Sequence, residues 1–267
     1  MFQKIGFIGT GTMGSAVALA VSKSGLAPHI WLSNRSIQKA EALSASIPGS
    51  QVSSNRQIAE TCDLIFLGVK PQMMAGVLSD LQEILKGRKD SFTLGSMAAG
   101  LSCSRIRSLS GTDCPVIRMM PNTPAAIGMG VVQYCGLDAN EAKLQDFAAL
   151  LAPAGLVDLI EEHLMDAASC VSGCGPAFAY LFIEALADGG VACGLPRDKA
   201  LRYAAQMLKG SAQMVLSTGD HPGKLKDAVC SPAGTTIQGV RALEQQGFRA
   251  AAMEAVIQAY EKTKSLG

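Results

Sequence analysis

The chain opens on a short apolar run, KIGFIG, and passes directly into helical spacing over 12–24. A second apolar run, HIWLSN, is followed by a helical pattern over 36–45. DLIFLGV at 63–69 is continuously apolar after an acidic start, which suits a strand buried on both faces. SFTLGSM, PVIRMMP, GMGVVQY and GLVDLI continue the series, with connecting segments between them, and the last ends near Ile160. Strands alternating with helices predict an α/β fold with a doubly wound, mainly parallel sheet. After Ile160 no strand pattern remains. EEHLMDAASCVSG, PAFAYLFIEALADGGVACG, RDKALRYAAQMLKGSAQMVLS and FRAAAMEAVIQAYEKTKS all have helical spacing, broken by Gly and Pro at 173–176, 194–196, 219–223 and 231–234. The expected division is therefore 1–160, a dinucleotide-binding domain, and 161–267, an all-helical domain.

Composition narrows the function classes. The 267 residues are 48% hydrophobic and 17% charged, with a formal net charge of +1. No basic stretch or acidic tail stands out, so neither nucleic acid nor an anionic membrane is an expected partner. The eight cysteines are irregularly spaced and form no CxxC pair, so neither a metal site nor a disulfide framework is expected. Free thiols in a reducing cytoplasm are the expected state. The N-terminus faintly resembles a signal peptide, but glycines at 6, 9, 11 and 14 argue against an apolar signal helix. PAFAYLFIEALADGGVACG carries Glu184, Asp188 and a Gly pair, and reads as a core or interface helix rather than a membrane span.

Candidate chemistry begins at GFIGTGTMGSA, which holds Gly9-x-Gly11-x-x-Gly14 between a strand and a helix. In that setting Gly9 permits the tight turn, Gly11 lets backbone approach a pyrophosphate, and Gly14 lets helix and strand pack closely. This is the Rossmann-type arrangement, and Thr10, Thr12 and Met13 belong to the same phosphate-facing turn. NAD enzymes usually carry an acid at the end of the second strand. This chain has Ser33-Asn34-Arg35 there, which suits a 2′-phosphate, so NADPH is expected over NADH, with NADH a weaker alternative. Two further strand ends lie on the ligand side of such a sheet. VKPQ contributes Val69, Lys70 and Pro71, and SMAAG contributes Ala98 and Ala99 beside the nicotinamide half. Asn55 completes the cofactor candidates.

Taken as a set, VKPQ, SMAAG, RMMPNTPA (118–125), VSGCGPAFAY (171–180) and DAVCSPAGTTIQGV (227–240) make the chain resemble the pyrroline-5-carboxylate reductase family over essentially its whole length. The departures are small for small: Thr12 where the family commonly has Asn, Cys174 for Ser, Cys230 for Thr or Ser, and Ala233 for Gly. Only Ala233 bears on backbone freedom, because a positive φ there is costly.

The resemblance implies reduction of 1-pyrroline-5-carboxylate to L-proline, the last step of proline biosynthesis, by hydride transfer to a cyclic iminium carbon. It also implies a helical domain that dimerises, with dimers assembled into a larger ring such as a decamer and the 227–240 loop facing the partner's dinucleotide domain. Thr235-x-x-Gln238 has the form of a capping box, which predicts a helix start at Thr235 with Thr235 as its N-cap. A helix N-terminus with hydroxyls and little side-chain bulk receives a carboxylate well. Ser231, Gly234, Thr235 and Thr236 are thus the substrate candidates, with Thr236 placed near the ring nitrogen by the resemblance. Two other readings exist. β-Hydroxyacid dehydrogenases share the outline but need a lysine in the first helix after the sheet, and none occurs from Ser172 to Ala185. A non-catalytic NADPH sensor would be free to lose Thr236, which this chain retains.

Overall fold

The computed structural model describes residues 1–265. An eight-stranded sheet runs in the order β3-β2-β1-β4-β5-β6-β7-β8. Its strands are β1 (Lys4–Ile8), β2 (His29–Ser33), β3 (Ser50–Val52), β4 (Leu64–Leu67), β5 (Thr93–Ser96), β6 (Val116–Pro121), β7 (Gly130–Leu137) and β8 (Gly155–Leu159). All neighbours are parallel except β6 and β7, which are antiparallel.

The period-two pattern explains why both faces carry helices. On β1, Ile5 and Phe7 join one core while Ile8 joins the other; on β4, Leu64 and Phe66 oppose Ile65 and Leu67 in the same way. The first face packs against α1 (Thr12–Lys23), α2 (Ile37–Ser44) and α6 (Glu141–Leu151). The second packs against α3 (Asn55–Thr61), α4 (Pro71–Gly87) and α5 (Cys103–Ser110). At the centre of the first face Phe7 and Phe66 stack at 4.7 Å, and Phe147 of α6 lies 5.6 Å from Phe66. Each large apolar side chain buried this way contributes roughly 1.5–3 kcal/mol. The acid that begins DLIFLGV has a structural use: both Asp63 carboxylate oxygens accept backbone N–H groups entering β1, from Gln3 at 2.8 Å and Lys4 at 3.0 Å.

Two elements were unforeseen in the stretch 46–62. β3 is a three-residue edge strand, and α3 is seven residues long with Ser54 capping Gln57 N–H. Both are too short to carry a periodic signal. Among the described residues no strand follows β8, as the apolar spacing predicted.

The chain divides into two compact units. The first is Met1–Cys174 together with the segment from Ala259; the second is Gly175–Gln258. The first unit keeps α7 (Met165–Ser172), because Met165 is fully buried in its second core and Arg118 of β6 pairs with Asp166. The second unit holds α8 (Gly175–Ala192), α9 (Arg197–Thr218), α10 (Pro222–Ala228), α11 (Thr235–Gln245) and α12 (Phe248–Lys264) as far as Gln258. Within it α8 and α9 pack closely: a Cβ added at Gly190 would lie 3.3 Å from Ala200. Its interior is thin. Among its described residues only Ala187, Ala200 and Ala204 are buried, while Leu181, Leu216 and Met253 are more than 60% exposed. By length and composition alone the stretch Glu162–Ala192 is apolar enough to cross a membrane.

Candidate dinucleotide cleft and substrate loop

β1 and β4 are neighbours with β2 on one side and β5 on the other, so the strand order reverses between them. Ligands of open α/β sheets bind at such a point, beyond the carboxyl ends of the strands. Here the two crossing loops meet backbone to backbone. Gly9 has φ +98°, and Gly68 N–H donates to Ile8 C=O at 2.8 Å. A Cβ at Gly14 would sit 2.1 Å from Gly9 O, and one at Gly68 2.3 Å from the same atom. Both positions are therefore confined to glycine by packing. Gly11 differs. A Cβ there would meet nothing within 4 Å, so its lack of a side chain leaves open space above the backbone rather than making a contact.

That space is a cleft of about 440 Å³, lined among others by Gly9, Gly11, Asn34, Arg35, Asn55, Val69 and Lys70. Gly11 is the N-cap of α1 and no side chain caps this helix, so its first-turn N–H groups are available to a phosphate. Thr10 is almost fully buried, and its hydroxyl has no hydrogen-bond partner among the described residues; its N–H reaches Asn34 Oδ1 at 3.3 Å. Thr12 is exposed and Met13 half-buried on the first turn of α1. Ser33 is buried beneath the cleft and donates to Asn55 Oδ1 at 2.6 Å, which fixes the amide at the head of α3. Lys70 is the N-cap of α4 and Pro71 its first residue, a position where a missing N–H costs nothing.

Among the described residues lining the cleft none is acidic, while Arg35, Lys39 and Lys70 are basic. Lys39 was not foreseen: it sits on the first turn of α2, whereas Arg35 precedes the Ser36 N-cap, and only the start of that helix brings both to the cleft. The open backbone at Gly11, the uncapped start of α1 and the acid-free cationic rim fit a phosphorylated dinucleotide. Ala98 and Ala99 do not line this cleft. They lie in the loop after β5, where Ala98 is buried and its N–H reaches Ser96 Oγ at 3.3 Å. Met97 N–H bonds Leu67 O at 3.2 Å and keeps that loop beside the end of β4.

The second unit carries the 231–236 loop. Ala233 has φ +59°, so the strained alternative foreseen for this Ala-for-Gly position is the one adopted. Gly234 N–H bonds Ser231 O at 3.0 Å, and a Cβ on Gly234 would lie 2.3 Å from Ser231 Oγ. The predicted capping box is corrected here. Gly234 is the N-cap of α11, Thr235 is its first helical residue, and no side chain caps the helix. The extended backbone that an N-cap needs falls on Gly234, which displaces Thr235 by one position. Thr235 and Thr236 are both exposed on the first turn.

A dinucleotide cleft at the switch point of a doubly wound sheet, followed by a helical unit, defines an NAD(P)-dependent oxidoreductase. Residues 4–89 match the family model described as NADP oxidoreductase coenzyme F420-dependent. Residues 162–266 match the model for pyrroline-5-carboxylate reductase dimerisation. The chain is 41% identical to the pyrroline-5-carboxylate reductase of Escherichia coli (strain K12) over 269 aligned residues, covering 100% of this chain and 99% of that one. It is 40% identical to the enzyme of Glycine max, covering 98% of this chain and 95% of that one. The crystal structure of Plasmodium falciparum pyrroline carboxylate reductase with NADP bound matches with a TM-score of 0.86 at 32% identity, covering 99% of this chain and 98% of that one. The chain belongs to the pyrroline-5-carboxylate reductase family.

Proposed function

We propose that the protein reduces 1-pyrroline-5-carboxylate to L-proline with NADPH, the last step of proline biosynthesis. The observation that carries the reading is the α11 N-terminus: Gly234, Thr235 and Thr236 offer backbone N–H groups and hydroxyls with no side-chain cap to compete for them. A small ring carboxylate matches that donor set. Ser231 holds the turn that exposes it. When bound, NADPH supplies a hydride to the imine carbon. The protein's own task is to hold the ring against the nicotinamide, and a substrate arriving as the iminium needs no strong protein acid. Thr236 Oγ1 is assigned as the hydrogen-bonding group at the ring nitrogen. The division of labour at about residue 160, with cofactor before and substrate and dimerisation after, belongs to the same reading.

Preference for NADPH over NADH is supported by Arg35 and Lys39 beside Asn34 in a cleft whose described lining has no carboxylate. The thin interior of the second unit and its exposed apolar side chains support a homodimer, and a ring such as a decamer is the larger assembly proposed. A cytoplasmic setting suits a chain with eight cysteines and no regular spacing among them.

NADPH consumption with pyrroline-5-carboxylate, set against NADP reduction with a panel of small hydroxyacids, tests the reading. Turnover of the imine alone is expected; turnover of a hydroxyacid alone would replace this reading with alcohol oxidation.

A further inference from the structure

A second cluster of reactive groups lies in the first unit, and the proposed reaction makes no use of it. Cys103 is the first residue of α5, Cys135 sits on β7, and Glu162 belongs to the 3-10 turn after β8. The two sulfurs are 3.9 Å apart, and one ligand atom from each of the three residues lies within 4.8 Å of the others. Both cysteines are buried, at 1% and 4% exposure, whereas the Glu162 side chain is 39% exposed. The cluster thus has two soft donors inside and one hard donor on its solvent side.

We propose that Cys103, Cys135 and Glu162 form a binding site for a soft divalent cation of the zinc type. Three observations converge on it. The first is distance. In a tetrahedral site with metal–sulfur bonds of about 2.3 Å, the two sulfurs stand about 3.8 Å apart. The observed 3.9 Å needs almost no adjustment, whereas a disulfide requires about 2.05 Å. The second is preorganisation. Glu162 Oε1 accepts the Cys103 N–H at 2.6 Å, so the carboxylate is already fixed at the start of α5 beside the two sulfurs. Ser102 caps α5 through Arg105 N–H at 3.1 Å, and the strand ladder holds Cys135 opposite Arg118. The third is charge. Arg118 is 3% exposed, pairs with Asp166, and lies 3.9 Å from Glu162. One cation already faces two carboxylates. Binding M²⁺ breaks two S–H bonds, forms two metal–sulfur bonds and releases two protons to solvent, so the net charge of the cluster does not change.

The site would join α5, β7 and the turn that leads into α7, all within the first unit.

The test uses purified full-length protein, reduced and stripped with a chelator, then titrated with Co²⁺. Expected are one Co²⁺ per chain with a thiolate charge-transfer band, two protons released per ion, and displacement of the band by Zn²⁺. Because two thiols must ionise, apparent affinity should fall about a hundredfold per pH unit at acidic pH. Zn²⁺ should also raise the melting temperature. Cys103→Ser and Cys135→Ser should abolish the band, and Cys193→Ser, at an exposed position, should leave it unchanged. Glu162→Gln keeps an acceptor for the Cys103 N–H and is expected to weaken binding at least tenfold. No thiolate band in the wild type would overturn the proposal. So would a band that survives both cysteine substitutions, or a thiol count showing Cys103 and Cys135 already joined after reduction. If the cysteine variants fail to fold, the wild-type proton count and Glu162→Gln decide the matter.

Discussion

Thr235 and Thr236 stand side by side on α11, yet they are expected to respond differently to loss of the hydroxyl. Gly234 is the N-cap and neither threonine caps the helix, so Thr235→Ala should leave the unfolding free energy within about 0.5 kcal/mol of wild type. Thr236→Ala should do the same and lower kcat at least tenfold, because its assigned work is at the ring nitrogen. Thermal melts and steady-state kinetics on both variants check this. A loss of turnover confined to Thr235→Ala would move the assignment by one residue. Arg35→Ala should raise the KM for NADPH and hardly change that for NADH. A charge-assisted contact to phosphate is worth roughly 1.5–3 kcal/mol, about ten- to a hundredfold. Equal changes for both cofactors would contradict the phosphate assignment. Which residues were legible depended on whether their role is local. Gly9 and Gly14 announce themselves by spacing. Lys39 enters the cleft only because α2 carries it there, and the one-residue shift of the α11 cap arises from the backbone of Ala233 and Gly234, which residue types alone do not reveal.

At the scale of elements, the β1–α1 turn separates two uses of glycine that sequence treats alike. Gly14→Ala would force a Cβ to within 2.1 Å of Gly9 O, so helix and strand must separate and the melting temperature should drop by an amount corresponding to several kcal/mol. Gly11→Ala meets open space, so the fold should be kept while NADPH binding weakens, because the new methyl occupies the ligand's side of the turn. Melting curves together with NADPH fluorescence titrations distinguish the two; a Gly14→Ala protein as stable as wild type would contradict the packing. Strands buried on both faces were readable from continuous apolar runs such as DLIFLGV. β3 was not, because a three-residue edge strand contributes too few buried positions for any period to appear. The antiparallel turn of β7 was equally hidden, since GMGVVQY has the same composition in either direction and only its pairing with β6 sets its sense.

The whole molecule poses the question of what covers the second unit. Tyr180, Leu181, Leu201, Tyr203, Met207 and Met214 are each 47% or more exposed, a distribution a soluble monomer seldom keeps. Sedimentation at micromolar concentration should find a dimer or larger and no folded monomer. Stable, active monomer would contradict dimerisation through these faces. The apolar circumference of PAFAYLFIEALADGGVACG foretold the need for cover, but sequence cannot say how few of its side chains the chain buries by itself. The central claim is the reaction, and isotope transfer addresses it most directly. With NADPH deuterated at the transferable C4 position, the protein should convert pyrroline-5-carboxylate into L-proline carrying one deuterium at the former imine carbon, one proline for each NADPH oxidised. Absence of proline, or proline without deuterium at that carbon, would contradict the account.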